Sequence, residues 1–255
     1  NAAEETREQM NPIDYERSIF QITKNFADQC KIREIEKYIE LSSVLVYGTT
    51  EDKILKESSQ KNPIRERGKA KIKAENYLLQ MKKFINFVII RSAIVYGKGC
   101  LKGISPFFGL SLIHKNRNEE IKLIWDGKIK CDTIHIDDLT QAIAFVLTSP
   151  INKEILNLVD DNNSDQFTLT NEISKFYGSK VAGLGKIKSF MAQLNIDDVI
   201  DILNEENQNQ WIRLLCDSHI GDSPIDIQIY KEYISKNFSS MSNEKIKKLG
   251  FLLRF

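Results

Sequence analysis

The chain has no CxxC pair. Its four cysteines, Cys30, Cys100, Cys131 and Cys216, stand far apart, which argues against a zinc site and reads as free thiols of a reducing compartment. Nowhere do 18 apolar residues run without a charge, so no helix of membrane-spanning length is expected. The longest apolar runs, such as Phe87 to Ile90, have the length of a strand. An excess of one charge is missing too. Lys plus Arg number 36 and Asp plus Glu 35, for a formal net charge of +1, so no global basic field draws the chain to nucleic acid. Glycine is sparse, with 12 in all and none before Gly48. The sequence shows no signal peptide, internal repeat or low-complexity tract. It opens on Asn1 rather than Met, and the protein is expected to extend further towards the N-terminus.

What is present is ordinary globular composition: 42% hydrophobic, 28% charged and 9% aromatic over 255 residues. A chain of this size buries roughly 70–75% of its unfolded surface, enough for one sizeable core or two small ones. Ile19, Ile22, Phe26 and Cys30 recur at helical spacing within 14–37. Tyr38 to Gly48 begins as a buried strand with Ser42 and Ser43 at its end, and 49–66 read as a polar loop. An amphipathic helix is predicted over about 66–83, a strand over Asn86 to Arg91, and a glycine-marked turn over Ala93 to Gly99. Residues 104–117 read as helix and Lys122 to Trp125 as a short strand before an Asp126-Gly127 turn. Thr133 to Ile136 leads to Asp137-Asp138, expected to cap a helix through Leu147. A strand over Ile155 to Val159, helix over Phe167 to Tyr177, mostly helix over 185–220, and a short helix within 242–251 complete the order. Strands alternating with helices point to an α/β fold with a parallel sheet.

Three segments carry the chemistry: Leu41-Ser42-Ser43-Val44-Leu45-Val46-Tyr47-Gly48, Gly68 to Glu75, and Phe87 to Gly99 with its Arg91-Ser92-Ala93-Ile94-Val95-Tyr96-Gly97-Lys98-Gly99 end. Together they resemble the extended short-chain dehydrogenase/reductase family, the NAD-dependent epimerase/dehydratase group, whose pattern is SSxxVYG, then YxxxKxxxE, then LRPxxVYGPG. Thr133 to Asp138 resembles the family's later hVxD turn, and Asn243 to Phe251 its closing helix. The resemblance runs over nearly the whole chain. It implies a Rossmann-like, doubly wound parallel sheet with a smaller C-terminal substrate-type subdomain, as one domain over 1–255. The Rossmann part would lie mainly in 1–158 and the subdomain mainly in 159–255. Asn1-Ala2-Ala3-Glu4 would then follow the fourth strand, and the first βαβ unit, with its glycine-rich pyrophosphate turn, would be missing from the chain.

By the same resemblance, NAD or NADP is the implied cofactor, contacted by Ala2, Ala3, Ser42, Lys71, Ala93, Ile94 and Val95. Ser43 takes the place of the serine that polarises the substrate oxygen, and Lys71 that of the lysine holding the nicotinamide ribose. The tyrosine that passes the proton belongs four residues before the lysine, and that position is Arg67. A guanidinium stays charged at neutral pH and cannot shuttle a proton there. Tyr47, Tyr77 and Tyr96 have no lysine four residues on. The downstream half, with Asn195 to Val199, Asn207 to Ile212 and Ile220 to Ile225, resembles a little-characterised eukaryotic branch of the family.

The departure at Arg67 implies a pseudoenzyme whose working surface meets protein partners in a larger assembly. An active epimerase, dehydratase or reductase on a sugar nucleotide or another carbonyl or hydroxyl substrate would use Ser43, Lys71 and a further acid. A nucleotide sensor is the third reading. The compartment is expected to be intracellular, with cytoplasm, cilium and mitochondrion undistinguished. The remaining polar residues read as structure. His135 is a packed strand histidine, and Asp137-Asp138 a helix cap. His114 and His219 lack ligand-spaced partners, Lys245, Lys247 and Lys248 form a solvated face, and Trp125 and Trp211 anchor packing.

Overall fold

The structure, a computed structural model, describes residues 11–162, 164–229, 231 and 239–255. The chain starts with α1 (Pro12–Tyr15), a π-helical stretch (Glu16–Gln21) and α2 (Ile22–Ile32). Then follow β1 (Tyr38–Ser43), β2 (Ile54–Leu55), α3 (Glu66–Gln80), β3 (Phe87–Ser92) and β4 (Ile94–Tyr96). Next are α4 (Ser105–Arg117), β5 (Glu120–Leu123), β6 (Thr133–His135), α5 (Ile136–Thr148) and β7 (Glu154–Leu158). The chain ends with α6 (Gln166–Tyr177), β8 (Lys180–Gly183), α7 (Lys186–Leu194), α8 (Ile196–Asp217), β9 (Ser240–Met241) and α9 (Glu244–Lys248). The fold is α/β with parallel strand pairs. Among the described residues no helix is long and apolar enough to cross a membrane.

Two compact units divide the chain: Asn1–Ala93 with Thr133–Asp161 and Ser239–Phe255, and Ile94–Asp132 with Asn162–Phe238. In the first, a parallel sheet runs in the order β1-β3-β7. Side chains alternate between its faces. Register puts Tyr38, Phe87, Ile89 and Ile155 on one face, under α2 and α3, where Ala27, Cys30, Leu78 and Met81 close a core. Val88, Ile90, Leu156 and Leu158 line the other face and are fully buried. Around Phe87 to Ile90 the side chains of β3 are buried on both faces, which is why this stretch is a continuous hydrophobic run rather than an alternating one. In the second unit, α4 and α6 each end on a left-handed residue, Asn118 and Gly178, and turn into the parallel pair β5 and β8.

Several expectations need correcting. The polar stretch 49–66 contains β2, which pairs in parallel with β9. The Ala93 to Gly99 turn contains β4. Strand β5 ends at Leu123 rather than Trp125, because Trp125 and Asp126 both take left-handed backbone. That kink is held by Ser189 Oγ, which accepts the Trp125 N–H at 2.7 Å, and by Asp126, which accepts the Gly185 N–H at 2.9 Å. Neither Asp137 nor Asp138 caps α5. The cap is His135, whose Nδ1 accepts the Asp137 N–H at 3.2 Å. Asp138 is fully buried, and its carboxylate receives the N–H groups of Arg254 and Phe255 at 3.1 Å each. Phe26 lies on helix α2 as the periodicity requires, but the residue is 48% exposed.

Candidate functional site

The candidate site gathers at the carboxyl ends of β1 and β3, where parallel α/β sheets hold their ligands. Ser43 ends β1 half-buried, and its Oγ accepts the Leu45 N–H at 3.3 Å, capping the 3-10 turn Val44–Val46. Helix α3 lies close against that turn. A Cβ on Gly68 would sit 2.6 Å from the Leu45 carbonyl oxygen, so only glycine allows the approach. Gly48 closes the same segment at φ +59, where a Cβ would overlap the Asn62 carbonyl.

Lys71 lies one turn beyond Arg67 on α3. Its ammonium donates to the Leu41 carbonyl at 2.6 Å and approaches the Glu40 carboxylate at 3.5 Å. The Lys71 side chain is only 12% exposed. Burial pulls its pKa below the ordinary lysine range; Glu40 opposes the shift and the positive charge of Arg67 adds to it. Arg67 is half-buried. The structure therefore brings Lys71 and Arg67 within electrostatic reach. Glu40 is shared further, accepting from Tyr38 Oη at 2.6 Å and from Thr23 Oγ1 at 3.2 Å.

Ser42, on the opposite face of β1 from Ser43, is buried and donates to Glu75 at 2.5 Å. It belongs to a polar row that the sequence motifs did not single out. Register aligns Ser42, Arg91 and Asn157 across the three strands. Arg91 donates to Glu75 at 3.0 and 2.6 Å and to Tyr47 Oη at 2.9 Å. Tyr47 Oη in turn donates to Asn157 Oδ1 at 2.5 Å, and Asn157 Nδ2 donates to the Leu55 carbonyl at 2.9 Å. Tyr47 thus packs and bonds at once. The signal for this row was Arg91 itself, a charge at an inward-facing position of an apolar strand.

Of the other sequence-derived positions, Ala93 is buried in the first unit, its N–H donating to the Leu158 carbonyl at 3.0 Å. Ile94 and Val95 belong to the second unit. Ala2 and Ala3 lie outside the described residues. His135 stacks on Phe255 at 3.9 Å between ring centroids. No cluster of metal-ligating side chains occurs among the described residues.

The NAD dependent epimerase/dehydratase family matches residues 2–159. Among solved structures, the chain is similar to the dTDP-glucose 4,6-dehydratase DesIV from Streptomyces venezuelae, at 17% identity and a TM-score of 0.69, over 100% of this chain and 67% of that one. It is also similar to UDP-N-acetylglucosamine 4-epimerase from Methanobrevibacter ruminantium M1, at 23% identity and TM-score 0.59, over 69% of this chain and 58% of that one. A third is UDP-glucuronic acid 4-epimerase from Bacillus cereus, at 20% identity and TM-score 0.59, over 70% and 60%. The chain thus spans about three-fifths of the length of these two epimerases. No curated protein matches the sequence.

Proposed function

The chain belongs to the NAD dependent epimerase/dehydratase family, and we propose that it is a member without the proton relay, serving as an accessory subunit of a larger protein assembly. The observation that carries this reading is the state of Lys71 and Arg67. Where the family pattern has a phenol, this chain has a guanidinium, and the lysine beside it is buried against the Leu41 carbonyl and Glu40.

The solved dehydratase and the Bacillus epimerase hold NAD, and the chain's own residues suit a dinucleotide as a ligand. Ser43 and Ser92 stand half-buried at the carboxyl ends of β1 and β3, and Lys71 of α3 brings an ammonium to the Leu41 carbonyl, two residues before Ser43. Bound there, NAD or NADP would bring hydride exchange. Ser43 would offer a hydroxyl to a substrate oxygen, and Lys71 a charge to a ribose hydroxyl. Neither provides the acid that a carbonyl–alcohol interconversion needs, and a positioned acid or base is worth about 10²–10⁴ in rate. A partner-binding role is supported by α7, whose Ile187, Phe190, Met191 and Leu194 fall at helical spacing and are all more than half exposed. Exposed apolar faces of this kind mark interaction surfaces.

The test is titration of the protein with NAD and NADP, followed by tryptophan fluorescence and melting temperature. It is paired with turnover assays on UDP-glucose, UDP-glucuronic acid and dTDP-glucose. The expected result is no turnover of any of the three, with or without dinucleotide binding. Steady turnover by the wild-type chain overturns the reading. Arg67→Tyr then asks whether the pocket lacks only its acid: turnover gained by this variant alone places the loss at that position.

A further inference from the structure

Helix α7 is held from one side. Ser189 Oγ donates to the Gly185 carbonyl at 2.5 Å and accepts the Trp125 N–H at 2.7 Å, and Trp125 Nε1 donates to Gln193 Oε1 at 3.4 Å. These bonds pin the side with Ser189 and Gln193 to the kink at Trp125 and Asp126. At 3.6 residues per turn, Ile187, Phe190, Met191 and Leu194 form a stripe about 100° wide on the other side. The stripe lies open, with Ile187 83% exposed and Leu194 61%. Helix α8, which follows after Asn195, differs. Its Ile196, Val199, Ile200 and Leu203 line a cavity of about 530 Å³ in the second unit, walled mainly by α4, β5, α6 and α8. The apolar face of α8 looks into its own unit, and that of α7 looks out.

The charges around the stripe say what it meets. Lys186 and Lys188 flank its first turn, one on each side, and both are exposed. Past its other end, Asp197 and Asp198 open α8. Among the described residues the side chains of Lys186, Lys188 and Asp198 make no hydrogen bond or ion pair. Asp201, one turn on, is taken by Lys231 at 2.5 Å. The stripe is therefore basic at one end and acidic at the other. An anionic lipid surface would attract the first end and repel the second. A second copy turned by 180° satisfies both, because antiparallel α7 helices bring the basic end of each to the acidic end of the other. The apolar positions suit the same rotation. About an axis between Phe190 and Met191, Ile187 faces the partner's Leu194 and Phe190 faces the partner's Met191. Lys186 then lies opposite the partner's Asn195, three residues short of the partner's Asp198.

We propose that the α7 face binds a second copy of this chain through an antiparallel, two-fold contact of α7 on α7. This contact rests on the partner-binding role given to α7 above and supplies its partner. It is independent of Lys71 and Arg67: turnover tests the loss of the proton relay, and oligomeric state tests the contact. A helix of 9 residues is short, about 13 Å at the helical rise. The contact is small beside the roughly 1,200–2,000 Å² of stable interfaces, and self-association at roughly 1–100 µM is expected.

The experiment is sedimentation velocity of the whole chain from about 1 to about 300 µM. The wild-type chain should pass from monomer to dimer over that range. Met191→Asp puts a carboxylate into the seam and should weaken the dimer at least about tenfold, with the melting temperature of the dilute monomer unchanged. Lys188→Glu and Asp198→Lys should each weaken it several-fold, and the chain carrying both should dimerise more tightly than either single variant. Raising salt from about 0.05 to about 0.5 M should weaken the wild-type dimer several-fold, which tests the charges even if a reversed variant does not fold. A chain that stays monomeric throughout overturns the proposal. So does a dimer indifferent to Met191→Asp, or one indifferent to both salt and charge reversal. Flotation of the monomer with vesicles of phosphatidylserine and phosphatidylcholine, lost in Met191→Asp, would assign the stripe to a lipid surface and overturn it as well.

Discussion

Arg91 and Glu75 form a two-pronged ion pair, Nε to Oε1 at 3.0 Å and Nη2 to Oε2 at 2.6 Å, with the side chains 0% and 1% exposed. The pair joins the middle strand β3 to helix α3, which also carries Lys71 and Arg67. Its remaining bonds reach Ser42 on β1, the Glu57 carbonyl and, through Tyr47, Asn157 on β7. Two desolvated charges are stable there only because their hydrogen-bonding capacity is met. Glu75→Leu leaves the guanidinium buried and unpaired, and should cost about 3–5 kcal/mol in urea unfolding. The double variant Arg91→Leu with Glu75→Leu should cost less than the sum of the two single changes. A double-mutant cycle reads this directly. Strict additivity would mean that the two side chains do not act as a pair.

The four cysteines are all free thiols, and their surroundings rank their reactivity. Cys131 is 5% exposed, and burial, with the carboxylates of Asp132 and Asp165 adding to it, pushes its thiol up to about 12. Burial raises Cys30 as well. Cys216, near the end of α8, is exposed. Only thiolates react readily with alkylating agents. Iodoacetamide at mildly alkaline pH should therefore label Cys216 first, and Cys131 should resist until the protein unfolds. Mass spectrometry of a labelling time course gives the order.

The sequence shows some parts of this protein more readily than others, for physical reasons. β3 was readable because a strand buried on both faces must be apolar throughout, and Phe87 to Ile90 is. α3 was readable because Ala70, Ala74 and Leu78 repeat at helical spacing and all turn inward. The end of β5 is not legible, because nothing in Ile124-Trp125-Asp126 announces left-handed backbone at two residues without glycine. The cap of α5 is not legible, because the acidic pair is the usual capping chemistry. Here the histidine before it takes that task and Asp138 is drawn to the backbone N–H groups of Arg254 and Phe255, some 116 residues away in sequence. The site divides in the same way. Arg67, Lys71 and Ser43 stand out by local spacing. Glu40, Glu75 and Asn157 do not, since their partners come from strand register and helix packing. The cavity of the second unit is assembled from α4, β5, α6 and α8, and no local pattern marks it.

His114 offers a pH test of that second unit. Burial holds its imidazole below the ordinary histidine value of 6.5; Arg117 works in the same direction, while Glu119 and Glu206 oppose it. The sign follows from linkage. Below the ordinary value the unfolded chain takes up a proton that the folded chain refuses, so the unfolded state binds more protons and stability rises with pH. The fold is thus at full strength, as far as His114 is concerned, above the unfolded value. It loses stability as the pH falls through that value towards the lower folded one. His114→Gln cannot titrate in this range. The wild-type chain should lose more stability than this variant between about pH 7 and about pH 5, measured as the shift in urea midpoint. Arg117, Glu119 and Glu206 are present in both proteins, so the comparison isolates the imidazole. A parallel decline in the two proteins would show that the imidazole already accepts its proton in the folded state.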